Sequence, residues 1–450
     1  MFADGKTEEF RAGIVPLGGN AEIPADTGYS AADGRNFSLN ERIVMNIIHT
    51  VDQTHIRSIN QRVILERIYC DEPISRAELA RELCISKSAM TENVSSLLDI
   101  GIIREVGAGV AMSTGGRKPI MLKFNKNYQY IIAIELNFED PIFVLGNLRG
   151  ETLNKITVAI SNDSGYEERL ELVVNAANRL LSTAELSTKD LAIIAISCPG
   201  VFDPESRNYY AESHFANWKM GDLSRQLEEL FETQVLVVND VNAAAVGEFN
   251  SGAGRDAKNL VYISGGQGFG AGVIINGELY LGSTNRAGEI SNSIPAGPLG
   301  LVNGKFGNLG YSVNIRALKE YICAKAPQKT KDAFAALGKN PDSIGFKDIL
   351  WVWRGGDKFL RQRVEEMSVI IGAAISNIIS LLNCDLVILG GDYVAFQSQM
   401  LPTINRVVRE SAFAPVNVVS ASLETNAGIC GLFALSRDII FDKVCNYERT

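Results

Sequence analysis

Three groups of residues in this chain have types and spacings that could do chemistry. Asn239-Asp240 follows the apolar run Gln234–Val238 and precedes Val241-Asn242-Ala243-Ala244-Ala245. A carboxylate just past a strand end stands at a cleft edge, where it could accept a proton from a hydroxyl. The same pair could also simply cap the helix that follows. Glycines recur at 266, 268, 270 and 272, and backbone without Cβ atoms lets N–H groups close on a phosphate. An ordinary glycine hairpin has the same pattern. The third group is Ser86, Lys87, Ser88, Thr91 and Glu92, with Arg117 and Lys118 further on. Small polar side chains on one helix face suit base edges, and neighbouring cations suit phosphate.

The elements around the third group are the most sharply written. Arg76–Cys84 and Lys87–Leu98 are short amphipathic segments separated by Ile85-Ser86, and Ser75 and Ser86 stand where a hydroxyl caps a helix start. Leu79, Ala80 and Leu83 form one apolar stripe; Met90, Val94, Leu97 and Leu98 form the other. Lys87, Ser88, Thr91, Glu92 and Ser95 then point outward. Two helices joined so tightly read as a helix-turn-helix. Val63, Ile64, Leu65 and Ile68 place a helix in front, while Ile102–Val106 and Pro119–Leu122 flank a glycine-rich tip as a two-stranded wing. Gly115-Gly116-Arg117-Lys118 brings two cations back beside the second helix. A small helical bundle used only for protein contacts would share the apolar stripes; the serine caps, polar face and basic wing together favour DNA.

Beyond Tyr130 the pattern becomes α/β. Tyr130–Ile134, Ile142–Gly146 and Thr152–Ile160 read as strands, Glu167–Leu181 as a helix, and Leu191–Ser197 as a strand ending at Cys198-Pro199-Gly200. A helix at Leu223–Phe231 and the strand before Asn239-Asp240 complete a first half. Leu260–Ser264, Gly272–Ile275, helices near Ile315–Ala324, Ser343–Leu350 and Val364–Leu382, and a strand at Leu386–Leu389 make a second. Two α/β lobes with a cleft between them follow, divided near 240–260.

Net charge is −9, but residues 57–126 hold 11 Lys/Arg against 8 Asp/Glu, and the rest of the chain 32 against 44. A mildly basic head on an acidic body keeps phosphate at the head. Seven scattered cysteines form no CxxC pair, which predicts reduced thiols and a cytoplasmic protein. No apolar run approaches the roughly 20 residues of a bilayer span, and no secretory leader is evident. Residues 1–40 read as a mobile arm and Glu41–Val51 as a helix, so the expected division is an arm and short helix over 1–56, a winged domain over 57–126 and a two-lobed body over 127–450.

In order, the segment ending GGRKP, then VVNDVNAAAVGE, GGQGFGAGVIINGELY, RAGEIS, DLVILGG and ETNAGICGLFALS resemble the ROK family of repressors, uncharacterised frames and sugar kinases. The resemblance implies an α/β, actin-like ATPase (ribonuclease H-like) two-lobed body behind an all-α winged helix-turn-helix domain. It implies that Asp240 occupies the kinase general-base position, that Asn239 and Glu289 contact sugar hydroxyls, and that Gly266, Gly268 and Gly270 match a phosphate loop. Gly200, at the end of its strand, joins Asn239, Asp240 and Glu289 as an expected ligand contact. A plain solvated carboxylate is the other reading of Glu289.

Departures from the kinase pattern decide the expectation. Where the family's kinases carry an aspartate and glycines, this chain has Ile134-Glu135-Leu136-Asn137-Phe138, and Gln267 replaces a threonine between glycines. The Asn137 Cβ crowds backbone that must meet phosphate. Asn292 stands in place of the family's zinc-binding histidine; Gly304, Phe306 and Tyr311 stand across its cysteine cluster, and Val313 replaces a second sugar-binding glutamate. No metal is expected without thiolate or imidazole, and packing through Phe306 and Tyr311 is expected to hold the loop instead. No cofactor is expected either.

The sequence therefore predicts a non-catalytic transcriptional regulator, a repressor of carbohydrate metabolism, with degenerate phosphate loops at Glu135, Asn137, Gly266, Gln267, Gly268 and Gly270. Its expected partners are a double-stranded DNA operator, a sugar or sugar-phosphate effector, and further copies of itself in a homodimer or homotetramer. No membrane is expected. The alternative is an ATP-dependent sugar kinase carrying a winged domain.

Overall fold

The computed structural model describes residues 53–446 apart from 109–117, 138–139, 162, 212, 295–300, 303–304, 307 and 341–342. The expected arm, the Glu41–Val51 helix, the wing tip with Arg117, and Gly304 lie outside the described residues.

The head begins with α1 (Gln53–Asp71), followed by β1 (Ile74–Ser75), α2 (Arg76–Glu82), α3 (Lys87–Ile100), β2 (Ile103–Ala108) and β3 (Ile120–Phe124). The stripes predicted for α2 and α3 are buried at Leu79, Met90, Val94 and Leu97 beneath Ile64, Leu65 and Ile68 of α1. β3 pairs antiparallel with β2 and also with β1, so the expected two-stranded wing gains a third strand.

Next comes a five-stranded sheet of β4 (Tyr130–Glu135), β5 (Ile142–Asn147), β6 (Thr152–Thr157), β7 (Leu191–Cys198) and β8 (Gln234–Asn239), in the order β8-β7-β4-β5-β6. β4, β5 and β6 run as an antiparallel meander, while β4, β7 and β8 are parallel. The second lobe repeats this plan: β9 (Leu260–Gly265), β10 (Phe269–Ile275) and β11 (Glu278–Leu279) form the meander, and β12 (Leu386–Gly391) and β13 (Val418–Ser420) run parallel to β9. The parallel strands alternate with helices, and their near-continuous apolar runs suit sheets covered on both faces.

Helix α4 (Tyr166–Thr183) and α5 (Met220–Phe231) cover the first sheet through Val173, Leu180, Leu223 and Leu227. In the second lobe α6 (Lys358–Leu382) buries Leu360, Val364, Met367, Ile371, Ile375 and Ile379 against the sheet. By length and composition α6 could cross a membrane; its regular apolar face is instead the core of the lobe.

Two helices join the lobes. The hinge helix Asp240–Ser251 lies against β9 and β10, and the C-terminal helix Ala427–Cys445 lies against β4 and β7. Their backbones touch: a Cβ added at Gly431 would lie 1.7 Å from the Ala243 carbonyl oxygen, and one at Gly247 would lie 2.0 Å from that of Ala427. Glu248, fully buried, pins the arrangement by accepting from the backbone N–H groups of Ala253, Ser422 and Leu423 at 2.7–2.9 Å.

Candidate functional site

Two sites emerge, one on the head and one between the lobes. On the head, the Ser75 hydroxyl accepts from the Glu78 N–H while the Glu78 carboxylate accepts from the Ser75 N–H at 2.9 Å, a reciprocal cap that fixes the start of α2. Ser86 caps α3 by accepting from the Ala89 N–H, and Gly101 ends it at φ +87°. Between these stops Lys87, Ser88, Thr91, Glu92 and Ser95 are all exposed. Their neighbours already engage some of them: Ser86 and Ser88 hydroxyls meet at 3.2 Å, and Thr91 donates to the Lys87 carbonyl. Arg57, from α1, pairs with Glu92 at 3.4 Å. Arg57 adds a cation to this face that sequence spacing did not reveal, since it sits thirty-five residues from its partner. Lys118 is exposed at the foot of the wing.

Between the lobes, the parallel strands deliver their carboxyl ends to one place. Glu135 lies opposite Ser197 and Cys198 lies opposite Asn239 in the sheet register; ligands in open α/β sheets collect at such ends. A crevice of about 20 Å³ there is lined by Asn239, Asn242, Gly270, Asn285 and Glu289 among others. Asn285 and Asn242 supply amides that the sequence reading did not single out.

Each predicted contact has a defined environment. Asn239 is fully engaged as a cap: its Oδ1 accepts from the Val241 and Asn242 N–H groups at 3.0 and 3.1 Å, and its Nδ2 donates to the Gly200 carbonyl at 2.9 Å. Gly200 holds a positive φ of +102°, and a Cβ there would meet the Tyr210 carbonyl oxygen at 2.6 Å, so its glycine is required by the turn itself. Asp240 accepts from the Val241 N–H, yet burial pushes its carboxyl up to about 6, with Glu289 adding to the rise. Burial also raises Glu289, against the pull of Arg286. Burial, and then the Asp240 charge, push Glu135 up to about 7 despite a hydrogen bond from Asn137. Among the described residues, Glu135 Oε2 and the Ser197 hydroxyl are buried without hydrogen-bond partners, and a Cβ at Gly428 would stand 3.0 Å from the first and 3.9 Å from the second.

The glycine loop is a tight hairpin between β9 and β10. The Gly266 N–H donates to the Gly268 carbonyl at 2.9 Å, and Gln267 is at the turn. A Cβ at Gly268 would meet nothing within 4 Å, and one at Gly270 would reach Val241 at 3.4 Å. At Gly265 a Cβ would overlap the buried Tyr393 ring at 2.0 Å, and at Gly266 it would stand 3.3 Å from the Asp392 carboxylate. The Asp392 carboxylate therefore stands beside Gly266.

Of the two side chains expected to pack the loop after Glu289, Phe306 lies outside the described side chains. Tyr311 is 51% exposed, so it is not what holds the loop. Asn308 donates to the Asn292 side chain at 3.1 Å, the Leu309 N–H donates to the Ser293 carbonyl, and Leu309 and Val313 are buried. Among the described residues an amide pair and two apolar anchors contribute to the holding. Among the described residues no three His, Cys, Asp or Glu side chains converge as a metal site requires.

Comparison with known proteins separates the two sites. Residues 58–105 match the MarR family, and residues 131–439 match the ROK family. The xylose repressor of Bacillus subtilis (strain 168) is 25% identical over 398 residues, covering 87% of this chain and 98% of that one. The DNA-binding transcriptional dual regulator NagC of Escherichia coli (strain K12) is 25% identical over 389 residues, covering 84% and 92%. In fold, the crystal structure of a ROK family transcriptional regulator, a homolog of the E. coli MLC protein, aligns with TM-score 0.74 at 24% identity over 87% of this chain and all of that one. A ROK family glucokinase from Streptomyces griseus, in complex with glucose and AMPPNP, aligns with TM-score 0.57 at 24% identity over 68% of this chain and 99% of its own. The regulator's fold thus spans more of the chain than the kinase's does. Head and two-lobed body are joined in one chain as in these regulators, and the chain belongs to the ROK family.

Proposed function

We propose that this protein is a cytoplasmic sugar-responsive transcriptional repressor. Its α3 helix reads operator DNA, and the crevice at Asp240 and Glu289 takes a sugar or sugar phosphate without turning it over. The observation that carries the reading is α3 itself: a doubly capped helix that buries Met90, Val94 and Leu97 and turns Lys87, Ser88, Thr91 and Glu92 outward. Such a face suits the major groove. Lys87, Lys118 and Arg117 are assigned to phosphate or base contacts, with head and body dividing near residue 126. A homodimer or homotetramer supplies the second reading helix, about 34 Å away along the duplex.

Chemistry in the cleft argues against phosphoryl transfer. Positioning and charge stabilisation carry that reaction, yet Glu135 holds a proton near neutrality and Asp392 faces the Gly266 loop. One observation favours a kinase instead: Asp240, raised to about 6, has the character of a general base.

The test is paired. Gel shifts with the promoter fragment of the chain's own gene, titrated with D-xylose, N-acetylglucosamine and their phosphates, are expected to show specific binding that one of these sugars weakens. A coupled ATPase assay over the same panel is expected to show no turnover. Sugar-dependent ATP hydrolysis abolished by Asp240→Asn, with no DNA binding, would replace the repressor by the kinase.

A further inference from the structure

Three arginines from three distant parts of the chain meet where the head joins the body. Arg62 of α1 pairs with Glu66 at 2.6 Å and with Asp442 of the C-terminal helix at 2.7 Å. Arg149, from the turn between β5 and β6, pairs with Glu72 at 2.8 Å and lies 4.1 Å over the Tyr69 ring. Arg437, on the C-terminal helix, lies 4.7 Å over the same Tyr69 ring, donates to the Tyr69 hydroxyl at 3.0 Å and reaches Asn250 of the hinge helix. Inside this ring of cations Tyr69, Phe124 and Phe441 stack edge to face at 5.2–5.7 Å. Two of these aromatics belong to the head and one to the C-terminal helix.

The apolar core is continuous across the same boundary. Ile64, Leu65, Ile68, Leu79 and Phe124 of the head belong to one cluster with Ile131 and Val144 of the first sheet and with Leu432 and Phe441. The connecting residues are stitched down as well. Asn125 bonds Ile102 and Gly101 of the head, Lys126 pairs with Glu151, and the Leu148 N–H donates to the Lys126 carbonyl. A free swivel has no such bonds.

We propose that Arg62, Arg149 and Arg437, closed around Tyr69, Phe124 and Phe441, are positioning residues that lock the DNA-reading head to the first lobe and the C-terminal helix as one rigid body. Motion between the lobes is then confined to the glycine-lined contact of the hinge helix and the C-terminal helix. Because the hinge helix begins at Asp240, any change there reaches the head as a shear of these two helices, not as a swing at residues 125–129. This route of control rests on the effector reading above; the lock itself does not.

Spin-label distances in the full chain separate the two. Cys84 is exposed on the head and takes one label; the second is placed at Glu171→Cys on α4 of the first lobe or at Lys347→Cys in the second. Cys70, Cys323 and Cys430 are replaced by serine. With the clamp intact, the head-to-first-lobe distance is expected to be single and narrow, and unchanged by D-xylose or N-acetylglucosamine. Arg62→Met with Arg437→Met is expected to broaden it, and the milder Tyr69→Phe to broaden it less. A broad distance with the clamp intact, or a narrow one that sugar shifts, overturns the lock. A narrow, sugar-insensitive distance together with a head-to-second-lobe distance that sugar moves supports both lock and route. If neither sugar moves the second distance, the lock stands and the effector reading is what fails.

Discussion

Gly431 offers the sharpest test of how the lobes meet. Alanine there is a single methyl, and in most helix interiors it would stabilise by about 1 kcal/mol over glycine. Here its Cβ would lie 1.7 Å from the Ala243 oxygen, 2.6 Å from the Ala243 carbonyl carbon and 3.0 Å from the Gly247 nitrogen. All three are backbone atoms of the hinge helix, so no rotamer change relieves the overlap. Carbon and oxygen need roughly 3.3 Å, which drives the helices apart by about 1.5 Å. A gap of that size forfeits a large part of the dispersion energy across the contact, including that of Ala243, Ile429 and Leu432. Overpacking of this kind costs about 1–3 kcal/mol, and with a rigid backbone on both sides the upper part of that range applies. After the propensity gain, Gly431→Ala should lose about 1–2 kcal/mol, read as a lowered urea midpoint at unchanged slope. Gly268→Ala, where a Cβ meets nothing within 4 Å, is the control and should stay within about 0.5 kcal/mol of the parent. Gly247→Ala should cost a similar amount, and the double variant should cost less than the sum, since one separation accommodates both methyls. If Gly431→Ala is as stable as the control, the two helices do not touch and the shear contact is refuted.

Other outcomes follow from the same geometry. Ser75→Ala removes one half of a reciprocal cap and should cost about 1 kcal/mol of head stability, measured by hydrogen exchange of α2. Glu135 has a folded value of about 7 against an ordinary 4.5, so the folded state holds a proton that the unfolded state has released across that interval. Its stabilising contribution is complete below about pH 4.5 and is lost as pH rises through 7; Glu135→Gln should flatten the stability profile between those values and raise stability at pH 8, as followed by urea midpoints. Lys118→Ala should weaken binding to all DNA sequences alike and reduce the salt slope by about 0.9, whereas Lys87→Ala should also blunt discrimination among operator variants in a gel-shift series.

The head was legible because its signals are local. Ser75, Ser86 and Gly101 mark helix ends by side-chain chemistry that acts within four residues, and the stripes of α2 and α3 repeat at helical spacing. The C-terminal helix was not legible as a helix: Ala427, Ile429, Gly431, Leu432, Phe433 and Ala434 are buried on every side of it, and a helix wrapped all round leaves no stripe to detect. The helix Gln397–Ser411 was hidden by Pro402 in its interior, which reads as a stop. At the cleft, Asp240 was read from its place past a strand end and, with Glu289, from family resemblance, and the Glu289 charge reaches Asp240. The Glu135–Ser197–Gly428 junction depends on strand register and on where the C-terminal helix lands, and neither is written in local spacing. Arg62, Arg149 and Arg437 likewise share no sequence pattern; each looks like a surface arginine until the chain brings them together.

A crevice of about 20 Å³ bears on what kind of site this is. Small-molecule pockets run to about 300–1,000 Å³, so a sugar entering beside Asn239 and Glu289 must part the walls that Gly270 and Asn285 form. An enzyme gains from a pocket already open, since opening costs binding energy that could otherwise serve the transition state. A sensor gains from the opposite arrangement. A ligand shifts a conformational equilibrium only by its differential affinity for the two states, and a site closed in one of them makes that difference large. Coupling of about 1–3 kcal/mol already gives a 5–150-fold change in operator affinity. Under the proposed repressor reading, the tightness of the crevice is the property that would let it report on its contents.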